Sequence, residues 1–181
     1  MNFEYRRITL GAPNQEDARY TFENSFPEEE RPPYEMTLSW EKNLFYGVYQ
    51  EEQFVALADV VEYQDLVYLF FLAVKEECRG QGIGSKILSD FKARYPGKRL
   101  FLLAEEAVET YPDYLDRVKR LSFYHRNGFE PIGVKILEFG VMYDLLTANE
   151  AKVSQQDFLS VMRHLIGEEM ARRFYSHLYK E

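Results

Sequence analysis

The sequence predicts an α/β domain built on a mixed, mostly antiparallel central sheet with flanking helices, and three observations predict it. The runs Leu44 to Tyr49, Phe54 to Glu62 and Leu66 to Val74 are β-rich and are separated only by the short polar segments Gln50 to Gln53 and Tyr63 to Asp65. That is the pattern of an antiparallel meander. Next comes an amphipathic stretch marked by Ile83, Ile87, Leu88 and Phe91, followed by the strand-like Leu100 to Leu103. Such a β-α-β crossover makes its two flanking strands parallel. Finally, a helix that stops at Asn127-Gly128 leads into two further strand-like runs reaching Leu146.

Taken in order, Phe3 to Leu10 reads as an opening strand. Pro13-Asn14 then leads into a helix in which Asn14 caps and Asp17 answers at the third position, ending near Pro27. A second, short helix starts after Pro32-Pro33, because Pro is tolerated in a first turn and Tyr34, Leu38 and Glu41 then share one side. Leu66 to Val74 is apolar on both faces, as expected of a central strand covered from both sides. Ala107 to Asp116 reads as an exposed loop. Ser154-Gln155-Gln156-Asp157 has the form of a capping box opening a C-terminal helix, with Phe158, Met162 and Leu165 on its inner face and Gly167 as its stop.

A chain of 181 residues has room for one domain with a substantial core, and no linker, repeat or low-complexity tract divides it. The net charge of -8 disfavours binding to phosphate backbones, so no nucleic-acid partner is expected. The same charge suits cationic small molecules, although ordinary solubility accounts for it equally. A lone Cys78 excludes an intramolecular disulfide and a thiolate metal cluster, which points to a reducing, cytoplasmic setting and no metal. The opening Met1-Asn2-Phe3-Glu4-Tyr5-Arg6-Arg7 lacks the apolar core of a secretion signal. The longest apolar run, Leu66 to Val74, is far short of the ~20 residues that cross a bilayer as a helix. No membrane span is expected.

The chemistry concentrates in Arg79-Gly80-Gln81-Gly82-Ile83-Gly84-Ser85, where a buried strand runs into a Gly-rich turn and then a helix. Such a turn aims backbone N–H groups and the positive helix end at one point, and Arg79 adds a charge that pairs with phosphate oxygens. Taken alone, the glycines are equally compatible with a plain tight turn. A Walker A loop would need Gly-Lys-Ser/Thr, whereas the order here is Gly84-Ser85-Lys86. A dinucleotide fingerprint needs a third small residue, a slot that holds Ser85, and Glu105 or Glu106 lies about where its ribose-binding acid would fall, which keeps that reading as a minority case against the preceding meander and the short chain.

The segment Arg79-x-x-Gly82-x-Gly84 resembles the Q/R-x-x-G-x-G/A signature of the GNAT acyltransferase superfamily, in particular its small bacterial-type acetyltransferases. Leu72-Ala73-Val74 resembles the family's cofactor-side strand, Leu100 to Leu103 the strand that splays from it, and Phe123-Tyr124 through Gly128-Phe129 its Y-x-x-x-G-F segment. Element order agrees from about Asn2 to Thr147. Residues 1–147 are therefore expected to form a GNAT acetyltransferase domain with a splayed parallel strand pair, and 148–181 a helical extension packed on it.

The resemblance implies that acetyl-CoA lies between the two parallel strands, as acyl donor for direct transfer. Leu72, Ala73 and Val74 would offer backbone hydrogen bonds to its pantetheine arm, and the segment from Arg79 to Ser85 would hold its pyrophosphate. It also implies Tyr124 as general acid for the departing thiolate. In isolation Tyr124 reads as a packing aromatic, one of 14 Tyr, and only its spacing to Gly128-Phe129 sets it apart. Arg117 stands where many members carry an Asn, so that Asn's cofactor contact is not carried over. Glu105, at the end of the second parallel strand, is the candidate for accepting the substrate's proton, with neighbouring Glu106 or water as alternatives. His125, next to Tyr124 on a helix, should point elsewhere. Cys78 falls near the cofactor in this reading, but no His is close in sequence to activate it and direct transfer needs no enzyme thiol.

In this family the segment between the first two helices borders the acceptor. Here it is Phe26-Pro27-Glu28-Glu29-Glu30-Arg31, joined on the same side by the loop from Glu109 to Asp116. Carboxylates and aromatic rings suit a cationic amine, although two solvated acidic loops would look the same. The expected partner is a small-molecule amine, met by a monomer or homodimer. A protein or peptide acceptor, or a GNAT-like module that binds CoA without catalysis, remains the alternative.

Overall fold

The computed structural model describes residues 2–13 and 15–179. Among these, one sheet is formed by β1 (Glu4–Arg7), β2 (Asn43–Gln50), β3 (Gln53–Tyr63), β4 (Leu66–Val74), β5 (Arg99–Glu105), β6 (Phe129–Glu138) and β7 (Val141–Ala148). The strand order is β1-β2-β3-β4-β5-β7-β6, and only the β4–β5 pair is parallel. The helices are α1 (Glu16–Ser25), α2 (Tyr34–Ser39), α3 (Ile83–Arg94), α4 (Tyr114–Arg126), α5 (Gln155–Ile166) and α6 (Glu168–Phe174). The expected fold class therefore holds. None of the described helices is long and apolar enough to cross a membrane.

Apolar spacing explains the layers. Ile83, Ile87, Leu88 and Phe91 lie on one stripe of α3 and bury against Val60, Val67, Leu69, Leu100 and Leu102 on one sheet face. The other face is covered in two parts. Phe22 of α1 and Tyr34 of α2 meet Phe45, Leu57 and Phe71, while Phe158, Met162 and Leu165 of α5 meet Tyr68, Phe101 and Leu145. The capping box forms as expected, with the Ser154 side chain accepting from the Asp157 N–H and Asp157 reciprocating. Gly167 ends α5 with φ of 83°. The cap expected at Asn14 lies outside the described residues; α1 starts beyond Gln15, whose side-chain amide donates to the Ala12 carbonyl at 2.7 Å.

The opening between β4 and β5 has a local cause. Their pairing runs only from Leu66 to Leu69 against Arg99 to Leu102, although both strands continue. Opposite this break the β3–β4 register shifts between Asp59 and Val60, so that Asp59 faces Phe71, Val60 faces Leu69, and Phe70 is the extra residue. A bulge bends its strand and sharpens the local twist. The Phe70 and Phe71 rings stack at 4.3 Å beside it. β5 meanwhile keeps β7 on its far side, from Phe101 to Glu105. A wedge is thus left between the C-terminal halves of two parallel neighbours.

Candidate active site

A cleft of about 340 Å³ fills this wedge. Its walls include Leu72, Ala73, Val74, Arg79 and Gly84 on the β4–α3 side and Leu103, Ala104 and Glu105 on β5. Strand residues alternate between their two neighbours in backbone hydrogen bonding. Because the Lys75 N–H donates to Val55 of β3 at 2.9 Å, Ala73 shares that direction, whereas Leu72 and Val74 turn to the open edge. Arg79 Nε, donating to the Val74 carbonyl at 3.2 Å, already exploits that edge. Of the three expected backbone partners, Ala73 is therefore committed to β3 and enters the cleft as wall.

At the end of this edge Gly82 takes a left-handed conformation, φ 78°, and α3 begins. No side chain caps the helix, and its first i to i−4 bond is Lys86 N–H to the Gly82 carbonyl at 3.0 Å. The N–H groups of Ile83, Gly84 and Ser85 precede that bond and are left for another acceptor. These orphan donors, the helix dipole and Arg79 suit a pyrophosphate. The two signature glycines do different work. Gly82 is demanded by its backbone, and a Cβ there meets open space. A Cβ on Gly84 would stand 3.0 Å from Phe123 Cζ, so its missing side chain admits α4. Gly80, φ 75°, shapes the turn, and the Gln81 amide donates back to the Glu77 carbonyl at 3.3 Å.

Helix α4 and the residue preceding it carry Asp113, Arg117, Arg120 and Tyr124, spaced four, three and four residues, on one face. Asp113, Arg120, Phe123 and Tyr124 line the cleft. Burial pushes the Tyr124 phenol above its ordinary pKa, and the Arg120 charge only partly offsets this. The phenol therefore stays protonated through neutral pH. Burial at 8% exposure fixes Arg117, which bonds Asp113 at 2.9 Å, reaches Glu105 at 3.4 Å and covers the Tyr111 ring at 4.5 Å. His125 points away, to Glu130.

Glu105 reads differently once placed. Its carboxylate, 7% exposed, is held between the guanidinium groups of Arg117 and Arg120. Paired with both, it ties the end of β5 to α4. Glu106 is also engaged by a cation. Hydrogen bonding to Lys135 at 2.6 Å holds its carboxyl below the usual range. Cys78, next to Arg79, lines a second surface depression with Arg6, Asp17, Tyr49 and Lys75.

The other end of the cleft is acidic and aromatic. Phe26 and Glu30 enter from the α1–α2 connection, together with Tyr68, Phe70, Glu138 and Tyr143. The Tyr143 hydroxyl donates to Glu30 Oε2 at 3.0 Å. Of the loop from Glu109 to Asp116, only Asp113 reaches the cleft wall. Glu138 and Tyr143 escaped the sequence reading, yet Glu138 carried a signal. It continues the inward phase of Ile132, Val134 and Ile136 on β6, where an acid is out of character.

A GNAT acetyltransferase domain model matches residues 41–131, from β2 to the start of β6. YjbC of Bacillus subtilis (strain 168), an acetyltransferase by name, is 33% identical over 69 residues, which cover 38% of this chain. The match spans only 33% of that curated relative's length. An acetyltransferase from the GNAT family of Bacteroides thetaiotaomicron superposes with a TM-score of 0.71 at 17% identity, covering 89% of this chain and 94% of its own. A GNAT family acetyltransferase from Elizabethkingia anophelis, solved with acetyl-CoA bound, gives 0.54 at 17% identity, over 81% and 97% of the two chains. The domain match takes in the meander, the glycine turn and the tyrosine-bearing helix that together build the cleft, and so the chain belongs to the GNAT acetyltransferase family.

Proposed function

We propose that the protein is an acetyl-CoA-dependent N-acetyltransferase whose acceptor is a primary amine on a small cationic molecule. The observation that carries this reading is the polarity of the cleft, with orphan N–H donors and Arg79 at one end and Glu30, Glu138 and aromatic rings at the other. Anion and cation are each offered a separate end. That the Elizabethkingia relative carries acetyl-CoA supports the first half.

Acetyl-CoA supplies a thioester, and the overall reaction converts an alkylammonium and that thioester into an amide, a free thiol and one proton. In this reading Ile83, Gly84, Ser85 and Arg79 hold the pyrophosphate, with Gly80, Gln81 and Gly82 shaping the turn. The open-edge backbone of Leu72 and Val74 aligns the pantetheine arm as an added strand would. Tyr124 holds a proton at its hydroxyl for the leaving sulfur. Glu105, in place of the base role expected of it, fixes Arg117 and Arg120 and hence the face of α4 that carries Tyr124.

Release of free thiol from acetyl-CoA, measured across polyamines, amino sugars and short peptides, tests the proposal. Turnover confined to the small cationic amines is expected. Turnover on peptides alone would overturn the acceptor class, and acetyl-CoA binding without thiol release on any amine would leave a binding module.

A further inference from the structure

With Glu105 and Glu106 both engaged by cations, the cleft still holds Glu30 and Glu138, of which Glu138 is the more deeply buried. We propose that Glu138 is the general base that takes a proton from the acceptor ammonium, and that Tyr175, from beyond the family-matched segment, is its positioning residue. This rests on the N-acetyltransferase reading above.

Glu138 closes β6 on the inward side, is 8% exposed and lines the cleft beside Tyr68 and Tyr143. The Tyr175 hydroxyl, just past the end of α6, donates to Glu138 Oε1, leaving Oε2 for an occupant of the cleft. Tyr175 is itself immobilised: it is 2% exposed and its ring meets Phe158 of α5 edge-on at 5.3 Å. Among the described residues no Lys or Arg pairs with Glu138, in contrast to Glu105 and Glu106. Burial pushes the Glu138 carboxyl up to about 7, and the Tyr175 hydrogen bond opposes that rise. The groups facing it are the phenols of Tyr68, Tyr143 and Tyr175, all raised by burial, with the Glu30 carboxylate held beyond Tyr143.

An acid with a pKa near the working pH combines a populated ionised form with real basicity, which is what a general base requires. The step breaks one N–H bond of the ammonium and forms an O–H bond at Glu138. The proton then passes to solvent, which accounts for the single proton of the overall reaction. Before the transfer, an ammonium entering beside Glu138 favours its ionised form, so the carboxylate is populated when the acceptor arrives, and the transfer leaves a neutral acid and a neutral amine.

The test combines a spectroscopic and a kinetic readout on the full chain. In protein labelled with carbon-13 at Glu carboxyls, the resonance lost in Glu138→Gln should titrate near neutrality. Tyr175→Phe should move that titration, and the acid limb of kcat/KM, to higher pH, because a donor to the ionised form is gone. Glu138→Gln should cut kcat by about 100-fold or more and abolish the limb, while CoA affinity by calorimetry is kept. Titration in the ordinary carboxylate range overturns the proposal, as does a Glu138→Gln enzyme of wild-type kcat with only a raised amine KM. A wild-type protein that acetylates no amine refutes the underlying function, and this inference with it; a wild-type protein that does so and is matched by Glu138→Gln refutes the inference alone.

Discussion

Asp59→Asn should make the protein more stable at alkaline pH and leave it almost unchanged near pH 4. Asp59 sits on β3 at the bulge, wholly buried, with only the Asn43 amide and the Val60 N–H to serve its carboxyl. Asn43 Nδ2 donates to Oδ2 at 3.1 Å, while Oδ1 of both residues is buried without a partner. Burial raises the carboxyl from 3.8 to about 7. A folded-state pKa above the unfolded value means that the native state binds more protons between pH 4 and 7, so this group's contribution falls as pH rises through that window and is flat above it. The gap of about three pH units, at about 1.36 kcal/mol each, is a loss of about 4 kcal/mol at pH 8. Asparagine copies the neutral acid: its carbonyl accepts from Asn43 and its amide can donate to the orphan Asn43 Oδ1. Urea unfolding of both proteins at pH 4.5, 6 and 8 checks this, because the difference between them cancels every other titrating group. A difference independent of pH, or an Asn variant less stable at pH 8, would refute the reasoning.

Three further outcomes follow from the cleft. Tyr124→Phe keeps the ring and removes the proposed proton donor, so turnover at saturating acetyl-CoA should fall about 100-fold to 10,000-fold with melting temperature and CoA affinity preserved; loss of stability along with activity would assign the residue to packing. Gly84→Ala brings a Cβ to 3.0 Å from Phe123 and should cost about 1 to 3 kcal/mol in urea unfolding, and a neutral result would show that α4 has room to move. Glu105→Gln removes the charge paired with Arg117 and Arg120 while Arg117 keeps Asp113, and should destabilise by about 1 to 3 kcal/mol, whereas lost turnover at unchanged stability would support Glu105 as a base.

The layers of this fold were legible because each rests on a period that survives in the chain. Ile83, Ile87, Leu88 and Phe91 mark a helix face wherever that helix packs, and Ser154 with Asp157 forms its box from local contacts alone. The wedge was not legible from the residues themselves. Leu66 to Val74 is apolar on both faces, so a bulge that shifts its alternation by one residue leaves no mark on the pattern. The motif resemblance supplied that opening instead. It placed Tyr124 and the glycine turn at the cleft but could not say how Gly82 and Gly84 divide their work, since that depends on where Phe123 of another helix arrives.

The same limit bears on the candidate base. Glu105 ends a strand at the cleft, and position alone recommended it, but a carboxylate's chemistry is set by what faces it. Its partners come from α4, where Arg117 stands in place of the expected Asn and joins Arg120 on the stripe that also bears Tyr124. That substitution does more than remove an amide from the cofactor side. It brings a second cation to a site already holding Arg120, so Glu105 and Asp113 are both paired with a guanidinium of the helix. What matters in the cleft is therefore not the chain's overall charge of -8 but the pair Glu30 and Glu138, each bonded by a tyrosine hydroxyl and, among the described residues, by no cation. A neutral donor steadies a carboxylate without neutralising it. In the proposed reaction both acids stay open to an ammonium, and the more deeply buried of them, Glu138, is the proposed base.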